Sequence, residues 1–501
     1  MLGGQDRHAD IDELQCFMAD KSYREWLPDR VLLLPPAMRD WLPGDHLVHF
    51  VMDVVADLDL SKIEVVYQSK DHRGERPWNP RMMVALIFYG YCIGVCSSRR
   101  LERATYEDVA FRLLTDDSHP DHSSIASFRK AHLATLGDLF LDILRLCEKA
   151  GMVQLGRVAL DGTKMKANAS KHKAMSFERM KLREAELRAE VTAMLAEAGT
   201  VDATEDQLYG RNQRGDELPR ELRRKQDRLA RIKAAREALQ EEAKAARAAD
   251  LAEREQAKQG PPDPPSPPEL PSHQVRHDAQ GNPASDAQRN FTDPDSRIMK
   301  SGKDFVQAYN AQAVVDEGEQ VIVAAAVTNQ APDAQHLAPM LAAVETNLGV
   351  RPVQLLADAG YYSAENVVFA EELGVDVLIS VSREKHVLDD KTLPPPLSPP
   401  AAEAAMQPTP SRAGDSAAVA PAKDLKDAMR ERLQSPVGAA AYRRRKCIVE
   451  PVFGQVKAAR GIRHFLLRGI RSVREEWNII CLTHNLLKLF RFTRRSALAA
   501  A

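Results

Sequence analysis

An acid at the edge of a core, beside a lysine and a run of arginines, suits a metal ion working on a phosphodiester, and Glu450 has that setting in this chain. Glu450 and Lys457 stand seven residues apart in KCIVEPVFGQVKAARGIRHF. Seven residues make two helical turns, so acid and base share one face, roughly 10 Å apart along the axis. Val449, Val452, Phe453 and Val456 form a separate apolar stripe that packs the helix on a core. This predicts Glu450 in a first helical turn beside Pro451, at the rim of that core, with Gly454 and Gly461 clearing side chains from the rim. Asp161 ends VAL in GRVALDGTKMKANAS, and Asp358 ends VQLLA in PVQLLADAGYYSAEN. Both read as buried strands that stop at an aspartate with a glycine within two residues. Ligand sites of open α/β sheets lie at such strand ends. Three hard oxygen donors suit one or two Mg²⁺. Two such ions about 3.5–4 Å apart activate a nucleophile and stabilise the leaving oxygen of an in-line displacement.

Each acid also has a simpler reading. Asp-Gly after a strand is a common turn, Asp358 can cap a helix, and an acid in a first helical turn stabilises the helix dipole. What favours a site is their coincidence in order, with the Lys457 spacing and a basic surround. Spacing alone does not decide it.

With these pieces in place, the chain resembles the DDE transposases of bacterial insertion sequences. It is most similar to the group with a Tyr-Arg-Glu-Lys signature, and within it to the insertion-sequence group numbered eleven-eighty-two. The matching segments are VALDGTKMKANAS, AYNAQAVVDEGEQVIVAAAVTNQAPD, LLADAGYYS and YRRRKCIVEPVFGQVKAARGIRHFLLRG. The stretch from PRMMVALIFYGYCIGVC to SSIASFRKAH resembles the N-terminal domain of these enzymes. The resemblance implies an α/β, ribonuclease-H-like mixed-sheet core, with Asp161, Asp358 and Glu450 as the catalytic, metal-binding triad for two Mg²⁺ (or Mn²⁺). It implies Lys457 contacting DNA near the cleaved end. The signature usually leaves three residues between its arginine and glutamate; here that place holds Lys446, while Arg445 has four intervening residues, and Tyr442 is compatible with either spacing. Either basic residue could then approach the phosphate, Lys446 as a point charge or Arg445 as a bidentate fork.

Composition bounds the rest. The 501 residues have room for two or three domains, and 44% of them are hydrophobic. The net charge of −2 excludes a uniformly basic nucleic-acid coat, yet between 441 and 474 ten Lys and Arg are opposed only by Glu450. That asymmetry is an electrostatic footprint for a polyanion and brings in Arg460 and Arg463 as further DNA contacts. The alternative is a solvated charged helix face. Of six cysteines only Cys92 and Cys96 lie close, inside an apolar helix, which reads as packing and not as a zinc site. The apolar run Met82–Cys96 is too short to span a membrane. With no signal peptide, a reduced, cytoplasmic, nucleoid-associated protein is expected.

The elements divide the chain. Residues 1–150 read as a helical N-terminal DNA-binding domain, with helices near 80–96, 100–114 and 123–147. SSIASFRKAH is either a DNA-reading or a packing helix, and Asp121 or Ser123 is an N-cap in preference to a metal site with His119 and His122. The core begins at 151–170 with a strand at 156–164. It is interrupted at 171–297 by an inserted helical hairpin, with Phe177, Met180, Leu187, Val191 and Met194 on one arm. The second arm carries Leu222, Leu229, Ile232, Leu239, Ala243 and Ala246, and a Pro-rich linker at 261–271 follows. A lone solvated helix or partial disorder is the alternative for this insertion. The core resumes at 298–382 as hairpin, helix, strand, helix, strand; a Pro/Ala-rich linker covers 383–436 and is expected to be disordered to about 423; the C-terminal catalytic helices cover 437–495.

The expected function is a transposase that binds the terminal inverted repeats of its own element as a homodimer on double-stranded DNA, cleaves the strand, and joins the 3′-hydroxyl to target DNA. The rivals are a metal-dependent nuclease without strand transfer and a catalytically decayed DNA-binding protein.

Overall fold

The computed structural model describes residues 37–68, 76–209, 220–259, 268–381 and 422–500. The N-terminal part is helical: α1 Leu47–Asp57, α2 Ser61–Gln68, α3 Pro80–Ile93, α4 Ser98–Glu107, α5 Val109–Leu114, α6 His122–Ala131 and α7 Leu133–Lys149. Two helices expected as single pieces are each divided. Asp108 breaks the first by accepting from the Ala110 and Phe111 N–H groups, and His132 separates α6 from α7. Asp121 caps α6 through the Ser123 and Ser124 N–H groups, as its sequence position predicts. Asn79 caps α3, Pro80 occupies its first turn, and Gly94 closes it at a φ of 84°. Among the described residues no single helix is long and apolar enough to cross a membrane, and α3 is buried from Met83 to Cys92.

The strands are β1 Arg157–Lys166, β2 Ala174–Ser176, β3 Gln288–Asn290, β4 Arg297–Ser301, β5 Asp304–Asp316, β6 Ile322–Thr328, β7 Gln354–Ala357 and β8 Asp376–Ile379. The main sheet runs β5, β1, β7, β8, with β4 and β6 both paired to β5. β1 is antiparallel to β5 and parallel to β7, which is parallel to β8. Helices α10 Leu337–Leu348 and α11 Ala364–Glu372 link these strands. The result is a mixed β-sheet flanked by helices, consistent with a ribonuclease-H-like core plus N-terminal helices. The first strand corrects the sequence reading: β1 does not stop at Asp161 but continues to Lys166, paired through Gly162↔Gln312 to Lys166↔Ala308. Gly162 is a strand residue because a Cβ there would lie 2.4 Å from Gln312 Nε2.

Between β2 and β3 lie the long helices α8 Phe177–Tyr209 and α9 Arg220–Gln259. Their contacts Glu190–Lys225 and Glu184–Arg236 run in opposite sequence directions, so the helices are antiparallel. Phe177, Met180, Leu187, Ile232, Leu239 and Ala243 form their own apolar cluster. Glu184, the residue that breaks the apolar spacing of α8, is buried and held by Arg188 and Arg236. Most of the Pro-rich run at 261–271 and the Pro/Ala-rich run at 383–423 lies outside the described residues.

The C-terminal helices are α12 Ala422–Gln434, α13 Pro436–Gly454 and α14 Ile470–Ala500, with a π turn at Gln455–Ala459. α12 occupies the end of the stretch expected as linker. α13 begins at Pro436, so Glu450 sits in its last turns and Pro451 is inside the helix, contrary to the first-turn expectation. A proline removes the bond to the carbonyl four residues back, here Cys447 O, and that oxygen accepts from Gln320 Nε2 at 2.7 Å instead. Gln320, at a φ of 58° in the β5–β6 turn, also accepts on its own carbonyl from His484 and on its side chain from Lys488. Burial pushes His484 down to about 3, so the ring is neutral and Nε2–H is the donor.

α14 is fastened to the sheet by Asn485, whose buried amide accepts from Ile322 N and donates to Ile322 O, both at 2.8 Å. Asn485→Ala strands both groups of that residue without a partner, and should lower unfolding free energy by about 2–4 kcal/mol. Denaturant midpoints measured on the full chain check this, and an unchanged midpoint would contradict the anchoring role.

Candidate active site

The two aspartates meet through strand register. Leu160 pairs with Ala357 across parallel strands, so the next residues, Asp161 in mid-strand and Asp358 just past the end of β7, are neighbours. Asp161 Oδ1 accepts from the Gly162 N–H at 2.8 Å, and Asp358 Oδ1 accepts from the Gly360 N–H at 2.9 Å, capping a short 3₁₀ turn. The capping and the juxtaposition coexist, since capping uses one oxygen of Asp358. Burial pushes the Asp161 carboxyl up to about 6; Arg445 opposes that shift and Asp358 adds to it.

α13 brings the third acid. Arg445, buried on the face of α13 turned to the sheet, places one nitrogen 3.2 Å from Asp161 Oδ2 and another 3.7 Å from Glu450 Oε1. Glu450 itself is half exposed, at 52% of its side chain. Tyr442 lies beside Arg445 and Ser380, with its hydroxyl raised by burial. Lys446 is exposed, one residue and about 100° around the helix from Arg445. The basic group that reaches the acids is therefore Arg445, despite the extra residue before Glu450.

Lys457 lies in the π turn, and its ammonium donates to Thr163 Oγ1 and, at 3.1 Å, to Lys164 O. Burial lowers its pKa and Asp161 opposes the shift. Arg460 is 7% exposed, with its guanidinium donating to Thr483 Oγ1 and Ile480 O. It joins α14 to the π turn and does not face a DNA surface, which corrects its sequence reading. Arg463 is exposed and its Nε donates to Lys457 O at 3.1 Å.

One residue near the acids escapes the sequence reading. Asp333 accepts from Lys164, Asn310 and Gln312 at 3.2, 2.6 and 3.0 Å. A Cβ on Gly162 would lie 3.1 Å from its Oδ1, and one on Gly360 3.5 Å from its Oδ2. Burial works against its charge, but His336, Lys164 and Asn310 outweigh it and hold the carboxyl down at about 2. Gln312 passes the contact on to the buried Tyr361 hydroxyl. The available signal is the pair Asn310 and Gln312, two buried polar residues on one face of β5, which must find polar partners.

Among the described residues no group of three or more His, Cys, Asp or Glu is gathered to hold a metal ion. What is gathered is the pair Asp161 and Asp358, with Glu450 one guanidinium away. Two carboxylates are a sufficient protein share for Mg²⁺, which completes its shell with water and phosphate oxygens. Burial is the main cause of the raised Asp161 pKa and the neighbouring Asp358 adds to it; a divalent cation would offset both, so the pair fits such an ion.

The two aspartates thus stand on adjacent strands of a mixed β-sheet flanked by helices. Residues 274–486 match the transposase DDE domain family, and residues 36–131 match a transposase domain of the DUF772 family. A transposase-family domain structure is therefore present. The DDE match contains Asp358 and Glu450 but not β1, so the pairing of β1 with β5 and β7 is what adds Asp161. The chain has no match among curated proteins and none among solved structures.

Two measurements follow from this geometry. The folded-state pKa of Asp161, about 6, exceeds its unfolded value of about 3.9, so its ionised form costs stability above pH 6 and nothing below pH 4. Asp161→Asn should raise the melting temperature of the metal-free protein at pH 8, with the gain vanishing as pH falls from 6 to 4. A gain equal at both ends of that range would refute the shift. In DNA cleavage, Arg445→Ala should be impaired at least tenfold more than Lys446→Ala; the reverse order would place Lys446 at the phosphate.

Proposed function

We propose that the chain is a DDE-type transposase of the Tyr-Arg-Glu-Lys signature group, of the kind numbered eleven-eighty-two. It binds the terminal inverted repeats of its element, cleaves the DNA strand and joins the freed 3′-hydroxyl to target DNA. The observation that carries this reading is the juxtaposition of Asp161 and Asp358, with Arg445 linking Asp161 to Glu450, inside a transposase-family domain structure. The N-terminal transposase domain at 36–131 supports DNA as the partner.

Asp161, Asp358 and Glu450 would hold two Mg²⁺, or Mn²⁺, whose chemistry there is to activate an oxygen nucleophile and stabilise the leaving oxygen. The chain's own groups do the rest. Arg445 neutralises the carboxylates while the site is empty of substrate, and its planar fork can turn to a phosphate, for which it is better suited than a lysine. Movement of Arg445 to phosphate frees Glu450 to join the aspartates, so that substrate binding completes the triad. Tyr442 keeps the guanidinium oriented from the side of Ser380. Lys457, anchored on β1 two and three residues beyond Asp161, presents a charge at the edge of the same strand. A homodimer on DNA would bring two such sites to the two element ends. The 171–297 segment is read as an insertion that leaves the core strands continuous.

A second reading, a decayed protein that binds DNA without cutting it, has one observation in its favour: Glu450 stands apart from the aspartates behind Arg445. One experiment separates the readings. Duplexes carrying the inverted repeats that flank the gene are incubated with Mg²⁺ and a supercoiled target, using the wild type and the Asp161→Asn, Asp358→Asn and Glu450→Gln variants. The transposase reading expects cleavage and joined products from the wild type, and cleavage reduced at least a hundredfold with retained binding in each variant. Cleavage without joining would support the nuclease; binding without cleavage by the wild type would support the decayed protein.

A further inference from the structure

Helix α9 is divided in charge. Residues 220–236 carry eight Lys and Arg against two acids, whereas 237–259 carry four against six. On the acidic half the charges are used within the protein: Glu242 pairs with Arg289 and Arg297, and Asp250 with His277. On the basic half Lys225 and Arg236 are consumed by α8, through Glu190 and Glu184. Arg224, Arg228 and Arg231 are different. They recur at intervals of four and three, so they share one face. All three are exposed, and none forms an ion pair with a described residue.

That face does not look onto open solvent alone. It forms one wall of an open groove of about 790 Å³, whose other wall is His172 and Lys173. Met175 and Phe291 pack on the apolar cluster beneath and give the groove a rigid floor. Asp227 is the one acid among its lining residues. Five cationic or protonatable groups with one acid, converging on a groove with an apolar floor, are poorly explained as a solvated helix face, where both signs alternate. The ion pairs that hold α9 to α8 are made by Lys225 and Arg236, while Arg228 contributes only its charge near Glu190.

The groove is also in chain continuity with the candidate active site. β1 carries Asp161, Thr163 and Lys164 past the acids and leads to Lys173. The basic C-terminal segment is fastened to that path, because Phe465 N donates to Lys166 O and Arg468 Nε donates to Asn168 O. Twelve residue steps lead from Asp161 to Lys173, so the groove lies no more than about 40 Å from the acids.

The geometry points to a second DNA contact: the basic half of α9 and the Lys173 wall hold the sugar-phosphate backbone of duplex DNA within about 40 Å of the candidate catalytic acids, independently of base sequence. This rests on the transposase reading for its occupant. A phosphate backbone fits better than an acidic protein, because the arginines recur along one face of α9 as phosphates recur along a strand. In this role the helical pair lengthens the footprint of the enzyme and sets no sequence preference.

The test uses the full-length protein and a fluorescent 40-base-pair duplex of mixed sequence, with affinity measured across salt concentrations. Replacing Arg224, Arg228 and Arg231 together by Ala should lower the slope of log affinity against log salt by about 2.7, at about 0.9 for each phosphate no longer neutralised. Lys173→Ala, on the opposite wall and outside α9, should lower it by about 0.9. Lys244→Ala, Arg254→Ala and Lys258→Ala combined, on the acidic half, should leave it unchanged. Slopes of the first two variants equal to the wild type, with wild-type helicity, overturn the inference and leave the catalytic reading standing. If the triple variant is misfolded, Lys173→Ala alone decides. A wild type that binds no duplex at low salt overturns both, and a wild type that binds an acidic polypeptide through these residues in place of duplex overturns the inference in favour of a protein partner.

Discussion

The site depends on keeping like charges together. Register alone forces Asp161 beside Asp358, and burial raises the cost of ionising Asp161. Arg445 offsets that cost from a different element, and in doing so fixes where α13 lies on the sheet. A guanidinium buried without partners would be costly, so the helix and the strand each need the other's charge. The arrangement is therefore both a fastening and a store of unfavourable electrostatics, the usual condition of a site that binds cations or polyanions.

What places α13 so that Arg445 can act is a set of polar contacts made by the C-terminal part of the chain. Gln320 satisfies the carbonyl that Pro451 frees, and meets α14 through His484 and Lys488. Asn485 holds Ile322 at the start of β6, and the Trp477 indole donates to Gln312 O on β5 at 3.0 Å. Gln312 then contacts Asp333, which is wedged against Gly162 and Gly360. The chain of contacts runs from α14 through the sheet to the residues that follow both aspartates. Arg460, inside this fastening, is structural for the same reason that it cannot meet DNA.

Much of this is legible in the sequence, and the misses have physical causes. The β5–β6 hairpin, the strand ending at Asp358, the caps and the spacing of apolar residues along α8 and α9 depend on local periodicity and turn chemistry, which a sequence displays. Asp161 itself is legible but the end of its strand is not, because Asp-Gly announces a turn and only the side chains of Gln312, Asn310 and Asp333 require a glycine in mid-strand. Pro451 reads as opening a helix, since nothing local reveals that Gln320, over a hundred residues away, satisfies the carbonyl left behind. The choice between Arg445 and Lys446 stays open in the sequence for the same reason: counting residues gives a rotation, and only the sheet says which rotation faces the acids.

The Glu450 to Lys457 spacing shows how a backbone irregularity alters a reading made from residue counts. Two turns of α-helix would align the pair along one face, but the chain passes through a π turn, in which each turn takes more residues. The Arg460 N–H accordingly bonds to Gln455 O, five residues back, and Gly461 ends the turn at a φ of 69°. From this turn Lys457 reaches Thr163 and Lys164. Its partner is thus β1, the strand of Asp161, and not the acid seven residues earlier. The same turn swings Arg460 inward beneath α3, where its carbonyl lies so near Gly94 that a Cβ there would come within 2.0 Å. One wide turn therefore sorts two neighbouring basic residues into different places, one beside the strand of Asp161 and one in the core, and it does so by a backbone irregularity that charge counting along the sequence cannot register.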